Sequence, residues 1–254
     1  MTDVLRHDLF VVIIIFMKII FEIDPKYDKQ CILTMLRKPD WKYRAKEMDL
    51  PLNLVEKLNK AEGKDLKKAE RELDKIVKAT YKKFGQSIKK ACTEYQRSWN
   101  KIIDEFSETV GRLSVPWFYP EYVVKVTHFN PGISNWNGNV VGRWWKEDYD
   151  KQRRITAHEI LLAHFFSIHR NLYKDSGLTD RQIWALAEIF AFAMTGLEPQ
   201  ITKFWPWDES GYYTNHNYPD IVDLQNELRE PFLKRKSFDE YVKKGIELVC
   251  KFNV

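Results

Sequence analysis

From Leu54 to Val110 the apolar residues return every three or four positions, and no other feature constrains the fold of this chain as much. Leu54, Leu58, Leu66, Leu73, Ile76 and Val77 make a narrow apolar face up to Thr80. Phe84, Ile88, Cys92, Tyr95, Trp99, Ile102, Ile103 and Phe106 make a second face from Tyr81 onward. Gly63 and Gly85 are the expected turns. The pattern predicts a basic amphipathic helical hairpin over residues 53–112, packed on the rest of the chain by its apolar side. Between Asn53 and Lys101 there are 14 Lys and Arg against 7 Asp and Glu, whereas the remainder holds 27 against 29, so the net charge of +5 belongs to this segment. Lys64, Lys67, Lys68, Arg71, Lys75, Lys78, Lys82 and Lys83 lean to one side, with acidic residues interrupting the stripe. A solvated helix face has this composition, and so has a surface for nucleic acid or an acidic partner.

Residues 1–52 are expected to form an N-terminal strand and a connecting segment. The run LFVVIIIFMKIIF, Leu9 to Phe21, has thirteen residues and contains Lys18. A membrane-spanning helix needs about 20 apolar residues, and no small-residue cleavage site precedes FEIDPKYD. Its Val and Ile content predicts a buried strand, with a membrane anchor or signal as the alternative. MKIIFEIDP also reads as a natural start at Met17, which would make residues 1–16 an upstream extension. Cys31, Cys92 and Cys250 are odd in number and far apart, which points to a reducing compartment and a cytoplasmic location rather than a disulfide framework.

At Gly111 the texture changes. Pro116, Pro120, Pro131, Gly132, Gly138 and Gly142 punctuate a region of β-type residues. Tyr122 to Phe129 is predicted as a strand and Val140 to Trp145 as its partner across the turn-rich PGISNWNGN, giving a short antiparallel sheet. Two apolar helices follow, about Ile155 to Tyr173 and, capped by Thr179, on to Thr195-Gly196. A loop rich in Trp, Tyr and Asn runs from Pro199 to Pro219. A last helical stretch, Asp220 to Phe252, should break near Pro231, with Ser237 capping its second part. The fold class is therefore α+β and mainly helical, with residues 113–254 as the core. There is no Gly-rich phosphate loop, no GxSxG elbow and no CxxC, which leaves out the nucleotide-cradling, serine-hydrolase and dithiol chemistries.

Two segments carry residues suited to chemistry, ITAHEILLAHFF with His158 and Glu159, and WALAEIFAFAMTG with Glu188. A carboxylate amid AlaLeuAla and IlePheAlaPheAla is costly to bury unless it finds a cation, a hydrogen-bonding partner or a metal. The His-Glu dipeptide alone is close to chance in a chain with six histidines. The order of strands, His-Glu helix, turn and Glu helix, from Val115 to Leu197, resembles the gluzincin branch of the zinc metallopeptidases. That resemblance implies a zincin-like core, peptide or protein as substrate, and zinc as cofactor. His158 and Glu188 would be metal ligands and Glu159 the general base, with the preceding strand as the edge for an extended substrate. The family's second histidine falls at Leu162, a departure that leaves either a zinc-dependent hydrolase with His164 recruited as a ligand or a catalytically degenerate relative. His216 and Tyr213, in the loop after the Glu helix, are the candidates for contacting substrate or the tetrahedral intermediate. The rival reading is a non-enzymatic protein that binds nucleic acid or an acidic partner through the basic hairpin.

Overall fold

The computed structural model describes residues 16–36, 42, 45–46, 48–129, 138–206, 212–252 and 254. The chain begins there with β1 (Lys18–Glu22), in which Ile19 and Phe21 point inward while Lys18, Ile20 and Glu22 point outward. This two-residue alternation is what a half-buried strand demands. The tail of the apolar run is thus a strand; residues 1–15, all but the last of the proposed upstream extension, lie outside the described residues. Among the described residues no helix is long and apolar enough to cross a membrane. Asp24 caps the next helix, α1 (Pro25–Met35), by accepting from the amides of Lys26 and Tyr27, with Pro25 in the first turn.

The expected hairpin takes a different form. A short α2 (Leu52–Lys60) turns at Ala61 and Glu62 into α3 (Gly63–Trp99), a single helix of 37 residues, and α4 (Ile103–Leu113) follows. Gly63 does mark a turn, with φ of +55°. Gly85 does not, and the chain runs through it as helix. A glycine inside a helix costs only about 1 kcal/mol. Tyr81, Phe84 and Ile88 dock on the core on either side of Gly85 and outweigh that cost.

The sheet corrects a second expectation. Its order is β1-β2-β3, and both pairs are parallel, not antiparallel. β2 (Glu121–Thr127) lies in the centre, with Lys18 opposite Glu121 on one side and Val123 opposite β3 residue Val140 on the other (β3, Val140–Trp144). A parallel pair cannot be joined by a tight hairpin turn, and residues 130–137, most of the turn-rich PGISNWNGN, lie outside the described residues. The free edge of β1 is covered by Gln96 of α3, which donates to the Ile19 carbonyl (2.9 Å) and accepts from the Phe21 amide (2.9 Å). An exposed row of strand amides is thereby closed to foreign strands.

Two helices then form the centre of the molecule, α5 (Gln152–Leu172) and α6 (Asp180–Gly196). Gly177, at φ +72°, sits in the turn between them. The Thr179 side chain accepts from the Gln182 amide while Gln182 reaches back, the reciprocal cap of an N-terminus. Ala185, Ala187, Ala191 and Ala193 let α6 lie close to its neighbours, and every residue from Trp184 to Thr195 is buried. A short α7 (Pro199–Thr202) leads to α8 (Val222–Lys234) and α9 (Phe238–Val249). The break between these last two falls at Arg235–Ser237, not at Pro231, which is accommodated in the final turn of α8; Ser237 caps α9 through the Glu240 amide. One large apolar cluster joins the sheet to the second half of α3 and to α4, α5, α6, α8 and α9. A smaller one joins α1, α2 and the first half of α3. The chain is a mainly helical α+β protein with a small three-stranded parallel sheet.

Candidate functional site

α5 and α6 pack side by side and bring His158 and Glu188 into direct contact, His158 Nε2 lying 3.0 Å from Glu188 Oε2. Thirty residues separate them in sequence, and both are buried, at 6% and 1% exposure. A carboxylate so deeply buried needs a polar partner within hydrogen-bonding reach, and the imidazole is that partner. The other ring nitrogen, Nδ1, lies 3.5 Å from the Tyr212 hydroxyl. The His158 ring stands edge-on to Phe192 at 4.5 Å, and the Arg154 guanidinium lies 3.4 Å over the Tyr212 ring. Arg154 precedes His158 by one helical turn, so the two share a face of α5.

The other sequence-predicted residues do not join this group as ligands. His164, fully buried, packs against Trp117 (ring centroids 4.4 Å) and Phe118 (6.0 Å). It faces the aromatic segment before β2, because six residues along a regular helix turn it about 120° away from His158. Among the described residues neither of its ring nitrogens makes a well-formed hydrogen bond. Burial pushes its pKa down to about 3, against a weaker upward pull from the Val115 backbone. Glu159 is buried and lies towards α1; burial first, then Cys31 and the Glu159 charge, pushes the Tyr27 hydroxyl pKa up. Leu162 occupies the position one turn after His158, buried at 1%.

His216 and Tyr213 belong to the support of the loop. Tyr213 donates to the Gln225 carbonyl (2.7 Å), and the Gln225 side-chain amide donates back to the Tyr213 carbonyl. The Gln225 Oε1 lies 2.6 Å from His216 Nε2, and His216 Nδ1 accepts from the Tyr218 amide (3.1 Å). His216 stacks on Phe192 at 4.3 Å, so the Phe192 ring stands between it and His158. Among the described residues of the loop, Tyr212 reaches the His-Glu pair and its neighbour Tyr213 does not. Nothing in the sequence distinguishes these two adjacent tyrosines, whereas the one-turn spacing of Arg154 from His158 was readable.

The donor set does not fit zinc. A catalytic zinc takes three protein ligands and keeps one open position. Here two candidate donors bond to each other, and the described contacts of His158 beside Glu188 are Phe192 and the Tyr212 hydroxyl. Among the described residues no group of three or more His, Cys, Asp or Glu is placed to hold a metal ion. The arrangement is a buried hydrogen-bonded pair that locks two helices together. No protein-family model, curated protein or solved structure matches the chain.

Proposed function

We propose that this chain is a catalytically degenerate relative of the zinc metallopeptidases, working by binding rather than by peptide hydrolysis. One observation carries the reading, the 3.0 Å contact between His158 and Glu188 across adjacent helices, with Leu162 at the position where a second imidazole would be needed. The order of elements around the pair supports the relationship, and the missing donor supports the loss of chemistry. In this reading the pair fastens α5 to α6, and Glu159 is a buried carboxylate without a metal-activated water to deprotonate.

The test is metal analysis of the purified protein beside its Leu162→His variant. The natural chain should hold far less than one zinc per molecule and leave denatured casein intact. Leu162→His sets two imidazoles four residues apart on one helix face, with Glu188 as a third donor, and should take up about one zinc with a zinc-dependent rise in Tm. A natural protein that already carries about one zinc, lost in His158→Ala, would overturn the degenerate reading. A Leu162→His variant that gains no zinc would overturn the relationship itself.

A further inference from the structure

The solvent face of α3 carries a row of cations that the core does not use. At 100° per residue, Lys64, Lys68, Arg71, Lys75, Lys78 and Lys82 fall within about 40° of one direction, and Lys89 continues the line. All are exposed, and Ala69, Leu73, Val77, Ile88, Ala91 and Tyr95 are buried on the opposite side. The acidic residues that interrupt this stretch in sequence point to the flanks. Asp65, Glu70, Glu72 and Asp74 lie about 80–120° round the helix from the row; Asp74 pairs with Lys29 of α1 (2.7 Å) and Glu72 with Lys57 of α2 (3.7 Å). Among the described residues none of the seven cations of the row has an ion-pair partner. From Lys64 to Lys89 the row is about 38 Å long.

At its C-terminal end the row meets a cleft of about 660 Å³ lined by Ser87 and Lys90 of α3 and by Trp145, Lys146 and Tyr149. Lys146 Nζ lies 5.2 Å from the Trp144 ring and 5.6 Å from the Trp145 ring, and Trp144 and Tyr149 are exposed. The cleft also holds two acids, both engaged. Glu147 is paired with Arg143, and Asp148 accepts from the amides of Asp150 and Lys151 at the entry to α5.

We propose that this surface binds single-stranded nucleic acid, with phosphates along the α3 row and bases against the aromatic rings of the cleft. The unpaired cations match a polyphosphate, and the rings add the stacking surface that unpaired bases use. A duplex fits less well because its bases are already paired and stacked, and the exposed rings of the cleft offer a stacking surface that only unpaired bases use. A lipid surface fits less well because no large apolar side chain interrupts the row to insert into the bilayer.

Fluorescence anisotropy of a labelled oligothymidylate, with duplex of equal length and phosphatidylserine vesicles as competitors, tests the assignment. The full-length protein should prefer the single strand, with affinity falling about 100-fold or more between 50 and 200 mM salt. Lys75→Glu/Lys78→Glu/Lys82→Glu should abolish binding at 50 mM salt while leaving the circular dichroism spectrum unchanged. Tyr149→Ala should weaken binding roughly tenfold without altering the salt slope, because stacking releases no counterions. The inference is overturned by no binding at 50 mM salt, by preference for duplex or vesicles, or by a folded charge-reversed variant that binds like the natural protein. A Tyr149→Ala variant with unchanged affinity would overturn the placement of bases in the cleft.

Discussion

His164 shows how one residue can set a pH dependence. Its burial holds the imidazole neutral, with a folded-state pKa near 3 against about 6.5 in the unfolded chain. The folded state therefore binds fewer protons below pH 6.5, and stability is lost as pH falls below that value. The contribution between pH 7 and pH 5 is about 2 kcal/mol. His164→Phe keeps an aromatic ring against Trp117 and removes the titration, so its denaturation midpoint should fall less steeply with acid than that of the natural protein. Parallel slopes for the two proteins in urea melts across this range would refute the assignment. Asp28 shows the opposite solution for a buried polar group. Its carboxylate accepts from the amides of His128 and Phe129 and from the Tyr81 hydroxyl, tying α1 to α3 and to the end of β2.

At the level of single elements, α3 is long because its packing outweighs a local weakness. A Cβ built on Gly85 meets nothing within 4 Å, and its backbone is already helical. Gly85→Ala should therefore stabilise the protein by about 0.5–1 kcal/mol, read as a higher midpoint in thermal or urea unfolding. A loss of stability would mean that α3 does not run through position 85 as an unbroken helix. The sheet makes a related point. β1 is an edge strand whose free side is closed by one side chain of α3, so helix and sheet are held in a fixed register by Gln96.

Across the whole molecule, α3 is shared between two apolar clusters, with Leu73 and Val77 in the smaller and Ile88, Ala91 and Tyr95 in the larger. Tyr81 packs against both. A continuous helix common to two clusters should couple their unfolding. Leu73→Ala, at a fully buried site of the smaller cluster, should cost about 2–5 kcal/mol. It should do so as one transition, with tryptophan fluorescence and far-ultraviolet circular dichroism coinciding. Two separated transitions would show that the clusters unfold independently.

Local periodicity and end signals were sufficient for much of this architecture. The helical character of α3, α5 and α6, the Thr179 and Ser237 caps, and the strands around Ile20, Val124 and Val141 follow from the residues themselves. A helix or a strand is determined largely by neighbours three, four or two positions away. The sequence alone also identified Glu188 as a carboxylate in need of a partner. What it could not settle was decided by contacts between distant residues. The parallel direction of β2 and β3 depends on how the chain returns, not on the composition of either strand. The passage of α3 through Gly85 depends on the core beneath it. The turning of Asp74 and Glu72 towards Lys29 and Lys57 depends on where α1 and α2 lie. The same is true of the pair at the centre, because His158 and Glu188 meet only when α5 and α6 pack side by side, and Tyr212 reaches them only across a loop.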